Sequence, residues 1–228
     1  MANRILALAG ALAYALITKR KLVVDWSDRF YSPDGKNVFP KFFSSPNIIE
    51  NAMLPATDSI APAIWKGNLD RSSYSIVDGK LKSKGINKKE YLSIKFSKLY
   101  RETIVVIVGN NFPYNKLLNH RRKFPPEWCG LEKFSLLQHL LKNYLFLKPE
   151  IKQKIDDFKT KHFMPKMIGV HIRQGDKLRY KFSRERINLG NYSSIVNKLL
   201  ERHPDASVFL ATDSKAVLKD YRAKYPAL

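Results

Sequence analysis

Two short apolar runs flanking one amphipathic helix, near the end of the chain, restrict its fold more than any other feature. Met167-Ile168-Gly169-Val170-His171-Ile172-Arg173 is apolar up to His171 and Arg173, and passes into a turn carrying Asp176 and Lys177. A run of this kind reads as a buried parallel strand that delivers charged side chains at its carboxyl end. Asn191 to His203 has helical spacing, with Tyr192, Ile195, Val196, Leu199 and Leu200 on one face, and stops at Pro204. Ser207-Val208-Phe209-Leu210-Ala211 then forms a second apolar strand, delivering Thr212 and Asp213. Strand, helix and strand in this order make a βαβ unit with parallel strands and a right-handed crossover. Arg173 and Asp213 are therefore expected on one rim of one sheet, with His171 close by. That rim is where open α/β sheets bind ligands. Arginine suits a diphosphate there, because its planar fork donates two parallel hydrogen bonds and keeps its charge.

The rest of the chain supplies helices and strands at similar intervals. Ile5 to Ile17 is an apolar helix followed by Thr18-Lys19-Arg20-Lys21, cations that suit the negative pole of a helix end. The basic residue near the start and the apolar middle imitate a signal peptide. At roughly 13 residues the apolar part is short for a bilayer span, and a strand, Leu22 to Asp25, follows at once. A helix inside an α/β layer, in a cytoplasmic protein, is the expectation. Tyr74 to Val77 is expected as an edge strand, Asp78-Gly79 as a turn, and Thr103 to Val108 as the strongest strand of this half. Gly109-Asn110-Asn111 ends that strand as a turn. Leu131 to Phe146 has helical spacing through Phe134, Leu137, Leu140, Leu141, Tyr144 and Leu145. A further helix starts at Pro149, with Ile151, Ile155 and Phe158 opposite Lys152, Lys154 and Lys159.

Charge and cysteine content exclude several classes. Lys and Arg number 41 against 20 Asp and Glu, a net charge of +21, which attracts nucleotide-sugars, acidic membranes and nucleic acids. The lysines are scattered, however, and no RRM, KH or zinc-finger pattern accompanies them, so nucleic acid is not expected as the main partner. Peripheral contact with a membrane through the basic surface fits the same charge. Arg121-Arg122-Lys123 is the densest basic run after Lys19-Arg20-Lys21, and both read as surface. The single cysteine, Cys129, reads as a buried thiol in a reducing compartment. The five histidines show no metal spacing, and His139 and His162 read as packing or surface residues. No Walker A loop, HExxH or GxSxG occurs. No metal site is expected.

Gly169-Val-His-Ile-Arg-Gln-Gly-Asp-Lys177 followed by Val208-Phe-Leu-Ala-Thr-Asp213 resembles the two signature segments of fucosyltransferases in the α-1,6 and nodulation (NodZ) superfamily. Asn3-Arg4, the Ala/Leu-rich helix, Lys19 to Trp26, and Tyr31 to Phe43 with Asn37-Val38-Phe39-Pro40 are similar to that family as well. His-Ile-Arg-x-Gly-Asp also occurs in α-1,2 fucosyltransferases, so this segment leaves the linkage open.

The resemblance implies an α/β, GT-B-like fold of two Rossmann-like layers, the second incomplete. The expected organisation is an acceptor-side domain over 1–120, a helical connection over 121–165, and a partial donor-binding domain over 166–228. It implies a glycosyltransferase that moves fucose from GDP-fucose, with inversion, to an N-acetylglucosamine-containing oligosaccharide or surface glycan, without cofactor or metal. Its partners are then a nucleotide-sugar donor and an oligosaccharide acceptor. Arg173 would stabilise the charge growing on the departing diphosphate, while His171, Thr212 and Asp213 would contact the donor. Asp176 and Lys177 match the family motif and belong to the active site. Two departures stand out. Gln174 occupies the place of a second arginine, and Lys181 that of a glutamate considered as acceptor base, which leaves Glu185 as the nearest acid. Relatives also begin earlier and continue further, so the chain reads as truncated at the carboxyl end. The alternatives are a non-catalytic basic protein binding nucleic acid or anionic surfaces, and an inactive fragment of such a transferase.

Overall fold

A computed structural model describes residues 2–28, 32–50, 53–76, 92–174 and 189–225. The chain divides into two compact units, Met1–Ile151 and Lys152–Leu228.

The first unit is organised on helix α1 (Ala2–Ile17), which is buried almost continuously from Leu8 to Ile17. Its small residues let neighbours approach closely. Leu12, Ala13, Tyr14 and Ile17 share a core with Leu117, Trp128, and Leu136 and Leu140 of helix α2 (Lys133–Tyr144). A Cβ on Gly10 would lie 2.6 Å from Cδ of Pro113, so only glycine fits that contact. The helix closes in a Schellman arrangement: Arg20 N–H donates to Ala15 O at 2.8 Å and Lys19 N–H to Leu16 O at 3.2 Å. Lys19 takes the left-handed conformation there, with φ 55°. The apolar amino-terminal segment is thus a core helix of this unit. No helix among the described residues is long and apolar enough to cross a membrane.

A second cluster forms around Leu8 of α1, with Val24, Trp26, Val38, Phe39, Phe43 and Ile48. Asn37 holds its loop together: its side-chain oxygen accepts from Trp26 N–H at 3.0 Å and Phe39 N–H at 3.1 Å, and its amide donates to Val24 O at 2.6 Å. Trp26 meets Phe39 edge to face at 5.3 Å. Arg4 lies over the Trp26 ring and pairs with Asp28. The Asn-Val-Phe-Pro run is therefore a clamp for the chain after α1.

The ladders of this unit are short. Strands β1 (Phe43–Ser44) and β4 (Phe146–Leu147) pair antiparallel, and β2 (Ile60–Ala61) and β3 (Ile104–Val105) pair parallel. The strand expected over Leu22 to Asp25 is reduced to one parallel bridge, Leu22 to Ile48. That expected over Thr103 to Val108 is a ladder only at Ile104–Val105, although Val106 N–H still donates to Ala61 O at 2.7 Å. Ser73–Ile76 is a helical turn and not an edge strand. The Ser72 hydroxyl accepts from Ser75 N–H at 3.1 Å, and such local capping competes with strand formation. Val77, Asp78 and Gly79 lie outside the described residues.

Helix α2 is shorter than its apolar spacing suggests, because Glu132 is extended and Phe146 is drawn into β4. Its buried stripe is Leu136 and Leu140, and Phe134 is 77% exposed. Cys129 is exposed. The turn Pro126–Trp128 sends Trp128 inward, at 1% exposure, and leaves the next side chain outside, so the expected buried thiol is corrected.

Helix α3 (Pro149–His162) crosses the division between the units and buries none of its residues. Ile155 and Phe158 are both exposed. His162 is exposed and His139 half-buried. In the second unit, β5 (Met167–Ile172), helix α4 (Leu189–Arg202), β6 (Ser207–Thr212) and helix α5 (Lys215–Lys224) follow in order. Strands β5 and β6 pair parallel through six residues each, from Met167 opposite Ser207 to Ile172 opposite Thr212. One sheet face is covered: Val170, Ile172 and Val208 pack with Val196 of α4 and Val217 and Tyr221 of α5. Ile195, expected on the buried face of α4, is exposed beside Val196. On the other face Gly169, His171, Phe209 and Ala211 are exposed, with Phe209 5.2 Å from Phe163.

Candidate active site

The carboxyl rim of the β5–β6 pair brings Arg173 and Asp213 together. The parallel register places Ile172 opposite Thr212, so the next residues on the two strands are neighbours. Arg173 Nε lies 3.9 Å from Asp213 Oδ2, and the side chains are 55% and 40% exposed. Asp213 Oδ1 also accepts a hydrogen bond from Gln174 N–H at 2.8 Å. One carboxylate thus faces both the guanidinium and the backbone that follows it. An exposed ion pair of this length is worth less than about 1 kcal/mol. Its consequence is orientation: it holds a cation at the rim in an open position.

His171 stands two residues before Arg173 on the exposed face of β5, while Thr212 occupies the register position opposite buried Ile172. The Thr212 hydroxyl accepts from Ser214 N–H at 3.1 Å. Ser214 caps helix α5, its hydroxyl accepting from Val217 N–H at 3.4 Å. The amino end of a ten-residue helix therefore opens beside Asp213, and helix amino ends favour negative charge. This capping serine carries a legible signal, since serine before an apolar periodic run is a usual helix start. The backbone contact of Gln174 carries none. Asp176, Lys177, Lys181 and Glu185 lie outside the described residues. Among the described residues, no group of three or more His, Cys, Asp or Glu is placed to hold a metal ion.

No protein-family model matches the chain. It is 28% identical to nodulation protein Z of Azorhizobium caulinodans over 244 aligned positions, which cover 97% of the chain and 66% of that protein. The chain thus spans just under two thirds of the length of this curated relative. Among solved structures, fucosyltransferase NodZ from Bradyrhizobium superposes with a TM-score of 0.66 at 21% identity, over 99% of this chain and 72% of that one. NodZ α-1,6-fucosyltransferase co-crystallized with GDP gives 0.60 at 20% identity, over 99% of this chain and 72% of that one. The same enzyme soaked with GDP-fucose gives 0.61 at 20%, over 100% of this chain and 72% of that one. Along almost its whole length the chain is similar in sequence to nodulation protein Z, and it shares the GT-B-like α/β fold of the NodZ structures.

Proposed function

We propose that this chain belongs to a GDP-fucose-dependent fucosyltransferase that transfers fucose, with inversion, to an N-acetylglucosamine-containing oligosaccharide. The observation that carries this reading is the exposed Arg173, positioned by Asp213 on the carboxyl rim of a parallel β-pair. Support comes from the NodZ structures named for GDP and GDP-fucose, which share the fold.

In the reaction, an acceptor hydroxyl oxygen forms a bond to the anomeric carbon as the bond from that carbon to the β-phosphate oxygen breaks. The electron pair leaves with GDP, so negative charge grows on the diphosphate. Arg173 neutralises that charge, a task for which preorganised cations serve transition states best. The open amino end of α5 adds a partial positive charge on the same rim. His171 and Thr212 complete the donor contacts, and Asp213 keeps the guanidinium aimed. The acceptor proton passes to a carboxylate, for which Glu185 is the proposed base, and Asp176 and Lys177 are proposed as further active-site residues. The donor site falls within 166–228 and the acceptor side within 1–120. No metal is assigned a role in this scheme, since arginine supplies the charge.

The test is GDP-fucose binding to the protein and to Arg173→Ala, followed by calorimetry. A charge-assisted contact of about 1.5–3 kcal/mol predicts a loss of roughly 10- to 150-fold. Equal affinity in both proteins removes Arg173 from the donor site.

A further inference from the structure

The first unit contains a cleft of about 730 Å³ that the donor chemistry does not use. It is built on a 3₁₀ segment, Leu118–Lys123, which continues from the helical turn Tyr114–Leu117. Consecutive side chains of a regular helix point in different directions. Here the backbone kinks at His120 (φ −110°, ψ 16°), and Arg121, Arg122 and Lys123 all line the same cleft. The kink is held from below. His120 is buried, and its Nε2 lies 2.9 Å from Phe96 O; a carbonyl only accepts, so that nitrogen donates. Leu117 is fully buried on one side, and Phe124 packs edge to face on Trp128 at 5.5 Å on the other.

Among the described residues, no acid forms an ion pair with these three cations. Like charges crowded into one cleft repel, and an anion relieves that repulsion. The remaining lining extends the site beyond one anion. Leu99 and Leu118 are 41% and 37% exposed and form an aliphatic floor. Asn115 and Asn119, one helical turn apart, offer amides that both donate and accept, as sugar hydroxyls require.

We propose that this cleft binds an anionic oligosaccharide, one that carries sulfate, phosphate or carboxylate groups on its sugars. The role of that saccharide as the fucose acceptor rests on the transferase reading above; the binding itself does not. The lining separates this ligand from single-stranded nucleic acid, whose bases are held by stacking on aromatic rings. The one ring in the lining, His120, is buried and bound through Nε2 to Phe96 O, and no ring of Phe, Tyr or Trp lines the cleft. Its volume also lies inside the range of about 300–1,000 Å³ typical of small-molecule sites.

The experiment titrates the full chain with three tetrasaccharides: a sulfated heparan fragment, a hyaluronan fragment carrying carboxylates only, and an uncharged N-acetylglucosamine tetramer. A thymidine tetranucleotide is the fourth probe. Each is repeated with the triple variant Arg121→Ala/Arg122→Ala/Lys123→Ala. A second triple, Lys152→Ala/Lys154→Ala/Lys159→Ala on exposed α3, removes the same formal charge elsewhere. The expected result is a charged saccharide bound at least about tenfold tighter than the neutral one. The cleft triple loses that preference and the α3 triple keeps it. Preference for sulfate over carboxylate, or the reverse, identifies the anionic group. Equal losses in both triples overturn the proposal, because they show net charge alone at work. Equal affinity for charged and neutral tetrasaccharides overturns it too, as does tighter binding of the tetranucleotide through the cleft. GDP-fucose affinity is measured on all three proteins. Its retention in the cleft triple keeps the donor reading separate from the outcome here.

Discussion

Arg173 Nε and Asp213 Oδ2 stand 3.9 Å apart at matching positions past the ends of two parallel strands, and the same carboxylate holds Gln174 N–H at 2.8 Å. Asp213 is thereby shared between a charged side chain and the backbone of the neighbouring strand end. These two contacts are separable by mutation, and so are the fork and the charge of Arg173.

Arg173→Lys keeps the charge and loses the planar fork. If the diphosphate is gripped through two parallel hydrogen bonds, the lysine variant recovers less than half of the binding free energy lost in Arg173→Ala. Calorimetric titration with GDP measures this directly. Full recovery by lysine would reduce the contact to a point charge.

Asp213→Asn retains a side-chain oxygen able to accept from Gln174 N–H but removes the negative charge. Its stability is expected within about 0.5 kcal/mol of the parent, since the exposed ion pair contributes little. Asp213→Ala loses the acceptor as well and is expected to lose about 1 kcal/mol. Urea unfolding of the two variants separates the contributions.

Tyr14 is buried in α1, and its hydroxyl both donates to Lys98 O and accepts from Tyr100 N–H, each at 3.1 Å. Tyr14→Phe leaves that N–H and carbonyl without their partner and is expected to cost about 1–3 kcal/mol. Burial pushes the phenol's pKa above its ordinary value, despite the hydrogen bond from the Tyr100 backbone. A raised folded-state pKa means that the folded protein holds the proton longer than the unfolded chain. The contribution is complete below about pH 10, where the unfolded phenol titrates, and declines as the pH climbs through the folded value. Part of the alkaline loss of stability should therefore disappear in Tyr14→Phe, read from melting curves between pH 8 and pH 11, values on the order of the free phenol pKa.

Gly10→Ala opposes two effects of known sign. Alanine favours the helix by about 1 kcal/mol. Its Cβ, however, would lie 2.6 Å from the rigid ring of Pro113, and overpacking of that kind costs about 1–3 kcal/mol. A net loss of stability is expected, with a lower melting temperature by calorimetry. A gain would show that the Pro113 turn moves aside freely.

The second unit was the more legible part of the chain. Its βαβ pattern, the parallel pairing and the meeting of Arg173 with Asp213 follow from local periodicity and from the handedness of crossovers. Six paired residues on each strand leave little freedom for another arrangement. The first unit was legible as helices far better than as strands. Tyr74 to Ile76 has an apolar alternation that suits a strand, yet Ser72 caps a helical turn there. Thr103 to Val108 is apolar after its first residue, but strand length depends on a partner, and Ile60–Ala61 supplies only two paired residues.

By itself the amino-acid order determined which segments carry helical or strand periodicity, and which charged groups reach the rim of the β-pair. Both are properties of spacing along the chain. Only the tertiary structure decided that Cys129 faces outward, that Asn37 clamps the loop after α1, and that Asp213 holds the Gln174 backbone. It also gathered Arg121, Arg122 and Lys123 into one cleft. These depend on the direction of each Cα–Cβ bond against distant neighbours. A buried histidine bound to Phe96, 24 residues earlier, sets that direction at the kink, and no local pattern encodes such a contact.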